Sequence, residues 1–321
     1  MQEKIDSATS TVCSTPPPHD LYSIIIAEEN RYKQKGYGLI SASLMAISFY
    51  VFAPYVGEWS WPRLMDFVSE NNYELWKVEL FISWAFHLSC TIVTNLSMWL
   101  IYHLELPFFE RYKINRDPWP WNKDRKEWNK LLVKSIGLVG FNCLVTIPCV
   151  LLMNAVINNY ETQLSFEVEK LPDSWTIMTT ISFMMICEDF AFHFTHKFMH
   201  WRVIYPYFHK VHHTYKTTVG IASEYTHPVD FFIGSLTPGA LGAIILGKNC
   251  HFFTFLCWIM VRSGETIDGH CGYEFSWSPY RLVPFSASAT YHDFHHSHNV
   301  GNFSSFFSFW DTICGTNKLY F

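Results

Sequence analysis

Residues 175–200 read WTIMTTISFMMICEDFAFHFTHKFMH and combine the two features that decide the fold. The first part is apolar over about 20 residues, the length that an α-helix needs to cross a bilayer. The last part contains the pattern HxxxH, formed by His196 and His200. Residues four apart share one face of a helix, so both imidazoles point the same way. The segment predicts a membrane helix that ends in metal ligands.

Three further apolar stretches indicate the same class of protein. The chain is 49% hydrophobic and only 16% charged, whereas soluble domains are roughly 25% charged. We therefore predict an all-α integral membrane bundle with a histidine-rich cap that binds two metals. The four predicted spans are residues 39–56, 78–101, 137–157 and 175 to about 194.

The distribution of charge predicts the orientation of the spans. Lys and Arg precede the first span and crowd residues 111–130 after the second, whereas acidic residues dominate the loop between these two spans. By the positive-inside rule, both ends of this pair face the cytoplasm. The segment after the third span is acidic again, so the fourth span returns to the cytoplasm and carries His196 and His200 with it.

A fifth apolar tract, residues 231–261, is split at residues 247–249. It must enter and leave on one side of the membrane if all the histidines are to meet, either as two short spans or as a hairpin in the interface. We favour the interfacial hairpin, because each limb is short and Pro238 with its neighbouring glycines interrupts a straight helix.

Two copies of the pattern HxxHH follow the first histidine pair. An isolated HxxxH is more often an ordinary pair on a solvated face, but buried imidazoles that recur in three clusters need partners. Imidazole suits iron, zinc, copper and nickel, and eight imidazoles exceed the four-ligand shell of one zinc ion. The clusters predict two metals held by His196, His200, His209, His212, His213, His292, His295 and His296.

Two other histidines stand among polar residues beside apolar tracts. His270 ends the segment ETIDGH, and we predict that it is a further ligand. His227 lies in EYTHP, and for it both metal ligation and a structural role stay open.

Several ionisable residues are predicted to orient the ligands. Asp189 and His193 continue the stripe of His196 and His200 at spacings of four and three, and a carboxylate within a span is costly unless it is paired or functional. We predict that they form hydrogen bonds that fix ligand tautomers. The alternative is a buried polar pair that only ties this helix to its neighbours. The same catalytic or orienting role is predicted for Glu224, Glu265 and Asp268.

The order of the motifs resembles the fatty acid hydroxylase superfamily of membrane oxygenases, and within it the C4-methylsterol monooxygenases. The resemblance is dense from residue 172 to 316, and in one position it departs from the family: Trp201 stands where the first box often has another histidine. The motifs are HKFMH (196–200), HKVHH (209–213), SEYTHP (223–228), ETIDGHCGY (265–273), HDFHH (292–296), GNFSSFFSFWD (301–311) and Gly315 with Thr316.

The resemblance implies a non-haem centre with two iron atoms per chain that activates dioxygen. It also implies stepwise oxidation of the C4 methyl group of a sterol from the bilayer, through alcohol and aldehyde to carboxylic acid, in the endoplasmic reticulum membrane with the active site facing the cytoplasm. Iron suits this reaction because zinc has no redox couple with which to break a methyl C–H bond.

Electrons must come from an external donor. The sequence contains no dinucleotide fingerprint after a strand, no haem-attachment motif and no cysteine set for an iron–sulfur cluster, so we expect no bound nicotinamide, flavin or haem. The resemblance implies cytochrome b5 and its NAD(P)H-dependent reductase as the electron source. Four basic residues around the first two boxes are the favoured candidates for docking the donor, the alternative being that their charges only hold the cytoplasmic face in place: Lys197, Arg202, Lys210 and Lys216.

We predict three regions along the chain: a disordered tail (1–20), the first three spans with their loops (21–171) and a fatty acid hydroxylase-type catalytic domain (172–321). The net charge of −5 argues against binding to nucleic acid. Another sterol enzyme on the same scaffold, such as a C5-desaturase, a side-chain hydroxylase or a C24 de-alkylase, is the alternative function. A metal carrier is a more distant one, because it would need several polar spans, and residues 137–157 are mostly apolar.

Overall fold

The computed structural model describes residues 35–320, and the predicted all-α class is confirmed. Within this range the chain forms helices and loops, with three isolated β-bridges and no strand. The tail predicted for residues 1–20 lies outside the described residues.

Within residues 35–320, five helices are long and apolar enough to cross a membrane. Each of the four predicted spans lies within one of the first four helices. The fifth, α5, occupies the first limb of the predicted interfacial hairpin, so the structure has one more candidate span than the four predicted. The helices are α1 (Lys35–Glu70), α2 (Leu75–Leu104), α3 (Arg125–Ile157), α4 (Ser174–Met199) and α5 (Pro228–Asn249).

Three further helices complete the C-terminal half: α6 (Phe252–His270), α7 (Ala289–His298) and α8 (Phe309–Cys314). The predicted split of the fifth apolar tract is present, because α5 ends in a 3₁₀ turn over Gly247–Asn249 and α6 begins at Phe252. Gly247 has a φ of 52°, a conformation that glycine adopts without steric cost. α5 and α6 therefore form a helical hairpin.

The interruption expected at Pro238 takes the form of a π-helical segment instead of a break. Proline lacks an N–H and its ring displaces the carbonyl one turn earlier, so the backbone needs a wider turn before it. In α5 this turn is Phe232–Leu236, and in α3 a matching π-helical segment, Asn142–Thr146, precedes Pro148. Both spans continue past their prolines.

Two buried cores fix the helices and the loop that carry the histidines. In the first, α5 approaches α4 so closely that a Cβ on Gly242 would lie 2.8 Å from the Cα of Met184. Ile177 and Ile181 of α4 pack there with Trp258 of α6, whose indole N–H donates to the carbonyl of Gly239 (2.8 Å). This core fixes α4, which ends in the first histidine pair.

The second core is aromatic and fixes the loop that carries the next histidines. The hydroxyl of Tyr102, on α2, donates to the carbonyl of Cys271 (2.7 Å) and accepts from the amide of Gly220 (3.0 Å). Tyr215 packs in the same core, and its hydroxyl lies 2.7 Å from the hydroxyl of Ser135 on α3. The loop between α4 and α5 is thereby attached to the first three spans.

Candidate metal centre

Nine histidines converge at the ends of α4, α6 and α7 and in the loop after α4. They fall into two groups, and within each group the ligand atoms lie within 4.8 Å of one another. All nine were predicted as ligands from the sequence. The five-histidine group contains His196, His200, His209, His213 and His295, and the four-histidine group contains His212, His270, His292 and His296.

The spacing of the ring nitrogens suits metal binding. In the five-histidine group, Nε2 of His295 lies 3.1 Å from Nε2 of both His200 and His213. In the four-histidine group, Nε2 of His270 lies 2.9 Å from Nε2 of His292 and 3.4 Å from Nε2 of His212. A metal with two imidazole bonds of roughly 2.0–2.1 Å at common angles separates the two nitrogens by about 2.8–3.4 Å. Each group can hold one metal ion.

Backbone carbonyls orient four of the rings. A carbonyl that accepts from Nδ1–H fixes the tautomer and leaves the Nε2 lone pair for a metal. In agreement with that tautomer, Nε2 of His196 and of His296 is buried and has no hydrogen-bond partner within the protein. The four pairs are His196 with Phe303 (2.9 Å), His295 with Gly301 (2.6 Å), His296 with Tyr215 (3.0 Å) and His270 with Thr266 (2.7 Å).

The motif GNF at residues 301–303 shapes the loop that supplies two of these carbonyls. Gly301 and Asn302 both have positive φ angles, 54° and 52°. A Cβ on Gly301 would collide with the carbonyl oxygen of Thr316, so this position requires glycine. The side chain of Asn302 donates to the carbonyl of Tyr291 (3.0 Å), which attaches the loop to α7.

Asp230 is an orienting residue that the sequence analysis missed. Its Oδ2 lies 2.8 Å from Nδ1 of His209, which completes a carboxylate–histidine arrangement in the five-histidine group. Gly234, one turn later, leaves room for it, because a Cβ there would lie 2.9 Å from Oδ1 of Asp230. The signal available in the sequence was a carboxylate directly before an apolar tract.

Burial keeps the ligand imidazoles neutral, which is the form that binds metals. Removal from water lowers the pKa of His270 to about 4. The same cause, followed by the proximity of the other imidazoles, lowers the pKa of the other ligands outside the spans: His200, His209, His212, His213, His292, His295 and His296.

Asp189 contacts the loop after α7, and His193 contacts α8, which follows that loop. Oδ1 of Asp189 accepts from the amides of Ser305 (3.2 Å) and Phe307 (3.0 Å), and Nδ1 of His193 lies 3.5 Å from Oδ1 of Asp311. Asp311 also accepts from the amide of Phe303, whose carbonyl orients His196. Both residues tie α4 to its neighbours and reach the metal ligands only through this loop.

The remaining predicted residues have partners outside the two histidine groups. Glu265 pairs with Arg262 (3.0 Å) and accepts from Ser305, and Asp268 pairs with Arg281 (2.6 Å). Glu188, next to Asp189, lies 2.7 Å from the same Arg262, so one guanidinium serves two buried carboxylates. Glu224 contacts His87, Thr91 and Cys143. His227 lies outside both groups and caps α5 by accepting from the amide of Val229.

An apolar cavity opens between α2, α3, α5 and α6, next to a smaller space that five of the nine histidines line. It encloses about 880 Å³ of atom-free space, its open mouth included. Aliphatic and aromatic side chains such as Leu151, Leu236 and Phe255 line most of it. A smaller space beside the metal ligands shares part of the wall, formed by Ser223, Phe231, Ser235, Arg262 and Thr266.

Comparison with known proteins gives the family. The family profile described as Fatty acid hydroxylase matches residues 181–316. The chain is 35% identical over 215 residues to methylsterol monooxygenase erg25B of Aspergillus fumigatus, covering 66% of this chain and 69% of that protein. The chain belongs to the fatty acid hydroxylase family. It is therefore an oxidoreductase of the monooxygenase class and a multi-pass membrane protein.

Other members of the fatty acid hydroxylase family are similar over comparable or longer stretches. Methylsterol monooxygenase 1 of Gallus gallus is 32% identical over 214 residues, 66% of this chain and 68% of that protein. Very-long-chain aldehyde decarbonylase GL1-8 of Oryza sativa is 30% identical over 267 residues, 82% of this chain and 92% of that protein. No solved structure matches the chain.

The chain departs from the fatty acid hydroxylase pattern at position 201, where it has Trp201 in place of a histidine. The five-histidine group forms without a ligand from this position. Trp201 is exposed, as are the four predicted docking residues nearby. Their positions give an exposed basic surface beside the first two boxes, formed by Lys197, Arg202, Lys210 and Lys216.

Proposed function

We propose that the protein oxidises the C4 methyl group of sterol intermediates with dioxygen, through alcohol and aldehyde to carboxylic acid, as a step of sterol biosynthesis. The observation that carries this proposal is an apolar cavity that shares part of its wall with a smaller space lined by histidines of both groups. The relatives named methylsterol monooxygenases support the choice of substrate.

We propose that the five-histidine group and the four-histidine group each hold one iron atom. Bound iron supplies the redox chemistry with dioxygen that side chains lack. The protein binds the apolar body of the sterol in the cavity, with the C4 end toward the wall shared by the cavity and the smaller space. Apolar lining excludes water from that end and orients the methyl group.

Glu265 is suited to hold a proton beside the metal centre. It lines a small space with His270 and His292, and it shares Arg262 with Glu188. Burial raises the pKa of Glu265 to about 7, although Arg262 opposes this shift. Each oxygenation takes up two electrons and two protons and releases one water. Glu265 can supply one of these protons beside His270 and His292.

We propose that electrons come from NAD(P)H through cytochrome b5 and its reductase, which dock on the exposed basic residues around the first two boxes. The charge of this surface is complementary to an acidic donor. It lies on the same side of the membrane as the histidine groups, which we place at the cytoplasmic face of the endoplasmic reticulum.

The test is turnover by the purified full chain in lipid vesicles with NADPH, cytochrome b5 and its reductase. A 4-methylsterol should give the 4-hydroxymethyl, aldehyde and carboxylic acid products in sequence. The variant His212→Ala should give none, whereas His103→Ala, an exposed histidine of α2, should match the wild type. A new ring double bond, an oxidised side chain, or conversion of a very-long-chain aldehyde in place of the sterol would contradict the proposed substrate.

A further inference from the structure

A second polar cluster lies outside the nine histidines, between the membrane helices. Oε1 of Glu224 accepts from the hydroxyl of Thr91 (3.0 Å) and lies 3.2 Å from Nε2 of His87, both on α2. Its Oε2 lies 3.6 Å from the thiol of Cys143 on α3. Glu224 itself is buried, where a carboxylate is costly unless such partners satisfy it.

The cluster forms part of the wall of the apolar cavity. His87 and Glu224 both line it, and most of their neighbours in the wall are apolar. The side chain of His87 is 18% exposed, and Nε2 is the ring nitrogen that faces Glu224 and Thr91. Nδ1 is therefore the nitrogen that His87 can offer to a molecule in the cavity.

The carboxylate determines what His87 can recognise. Glu224 accepts from Nε2–H and thereby selects, for the neutral ring, the tautomer in which Nδ1 is an acceptor. The complementary ligand group must be a donor, and among lipid groups a hydroxyl fulfils this requirement, whereas a ketone or an ether does not.

The position of the cluster relates this hydroxyl to the reacting carbon. In the chain, Glu224 lies between Ser223 and Thr226, and these two residues line the space beside His209 and His212. The recognised hydroxyl must therefore lie close to the end of the ligand that meets the metal centre. In a 4-methylsterol the hydroxyl is on the ring carbon next to the one that carries the methyl group.

We propose that His87, held by Glu224, forms a binding subsite for the substrate hydroxyl and determines which ring carbon faces the two histidine groups. This inference rests on the proposed function and deepens it. Thr91 and Cys143 position the carboxylate, so their effect on the ligand is indirect. Three of these four side chains, those of His87, Cys143 and Glu224, are also close enough together to bind a metal. The hydroxyl subsite is favoured because both carboxylate oxygens already have partners in the protein.

The test is equilibrium binding to the full metal-loaded chain in lipid nanodiscs, with a 4-methylsterol, its 3-deoxy analogue and its 3-ketone. The wild type should bind the hydroxysterol about tenfold to hundredfold more tightly than either analogue, the usual contribution of a hydrogen bond in a buried site. In His87→Phe and in Glu224→Gln this preference should fall to about threefold or less, with the affinity for the deoxy analogue retained. The control His103→Ala should keep the full preference.

Three results would overturn the subsite. They are equal binding of all three sterols by the wild type, equal weakening of all three in both variants, and a third metal per chain that Cys143→Ser removes. In the first case the wild type would still bind and oxidise the sterol, so the proposed function would stand. If none of the three sterols binds, the proposed function fails, and the hydroxyl subsite fails with it.

Discussion

The two histidine groups are neighbours, yet they differ in the number of ligands and in what surrounds them. The five-histidine group includes His209, which a buried carboxylate, Asp230, orients. Each group has two rings oriented by backbone carbonyls, but the four-histidine group has no ring oriented by a carboxylate among the described contacts. Three of its four members, His212, His270 and His292, line the smaller spaces next to the cavity, whereas His196 and His209 are the two members of the five-histidine group that do so.

We propose that the two groups have different tasks within one centre. A group with five imidazoles and an orienting carboxylate is suited to retain its metal firmly. A group with four imidazoles beside an opening leaves more of its metal's coordination available to small molecules. We infer that substrate and dioxygen approach from the side of the four-histidine group.

Removal of one ligand histidine should have the largest effect on turnover. The accompanying loss of metal should differ between the two groups. His212→Ala leaves three imidazoles in its group, whereas His213→Ala leaves four in the other. We expect His212→Ala to lose its metal, and His213→Ala to retain most of it at saturating iron. Turnover should fall by more than about a hundredfold in both, since loss of an outer partner alone costs up to that amount. Equal metal loss in the two variants, measured by elemental analysis, would remove the distinction between the groups.

Removal of Arg262 should be the next largest effect, and it should act on stability. Arg262→Met leaves the buried carboxylates of Glu188 and Glu265 without their shared cation, which we expect to cost about 3–5 kcal/mol of unfolding free energy. Unfolding of the purified chain in detergent measures this loss. Adding Glu188→Gln should recover part of it, because one uncompensated charge is then removed. An unchanged stability of Arg262→Met would show that the pair is not formed.

Asp230→Asn should weaken the five-histidine group alone. Because the carboxylate orients His209, we expect the metal affinity of that group to fall by about 10-fold to 100-fold, with the four-histidine group unaffected. Competitive titration with a metal indicator can resolve the two affinities. Equal weakening of both groups would indicate a general change in structure.

His227→Ala should have the smallest effect. His227 lies outside both groups and caps α5, so we expect unchanged metal content and a loss of stability of about 1 kcal/mol. Loss of a metal in this variant would place His227 among the ligands and would change the composition of one group.

The sequence predicted the features that depend on local pattern. Span positions follow from apolar length, and the ligand histidines follow from helical spacing within each box. His270 has no neighbouring histidine in sequence, and it was found because it lies in a polar segment beside an apolar tract.

Other features depend on contacts between residues that are far apart in the sequence. No local sequence pattern predicts these contacts. Asp230 reaches His209 only because α5 packs against the end of α4, and His87 reaches Glu224 across 137 positions. Asp189 fits the stripe of ligands on α4, yet packing directs it to the amides of Ser305 and Phe307. Helical periodicity places a residue on a face, but the neighbouring element determines its partner.

The most direct test of the two-group centre is the metal content of the full chain purified after iron-replete expression. We predict about two iron atoms per chain in the wild type and about one in His212→Ala, with the remaining atom in the five-histidine group. A single metal per chain in the wild type, or zinc without iron, would contradict the account.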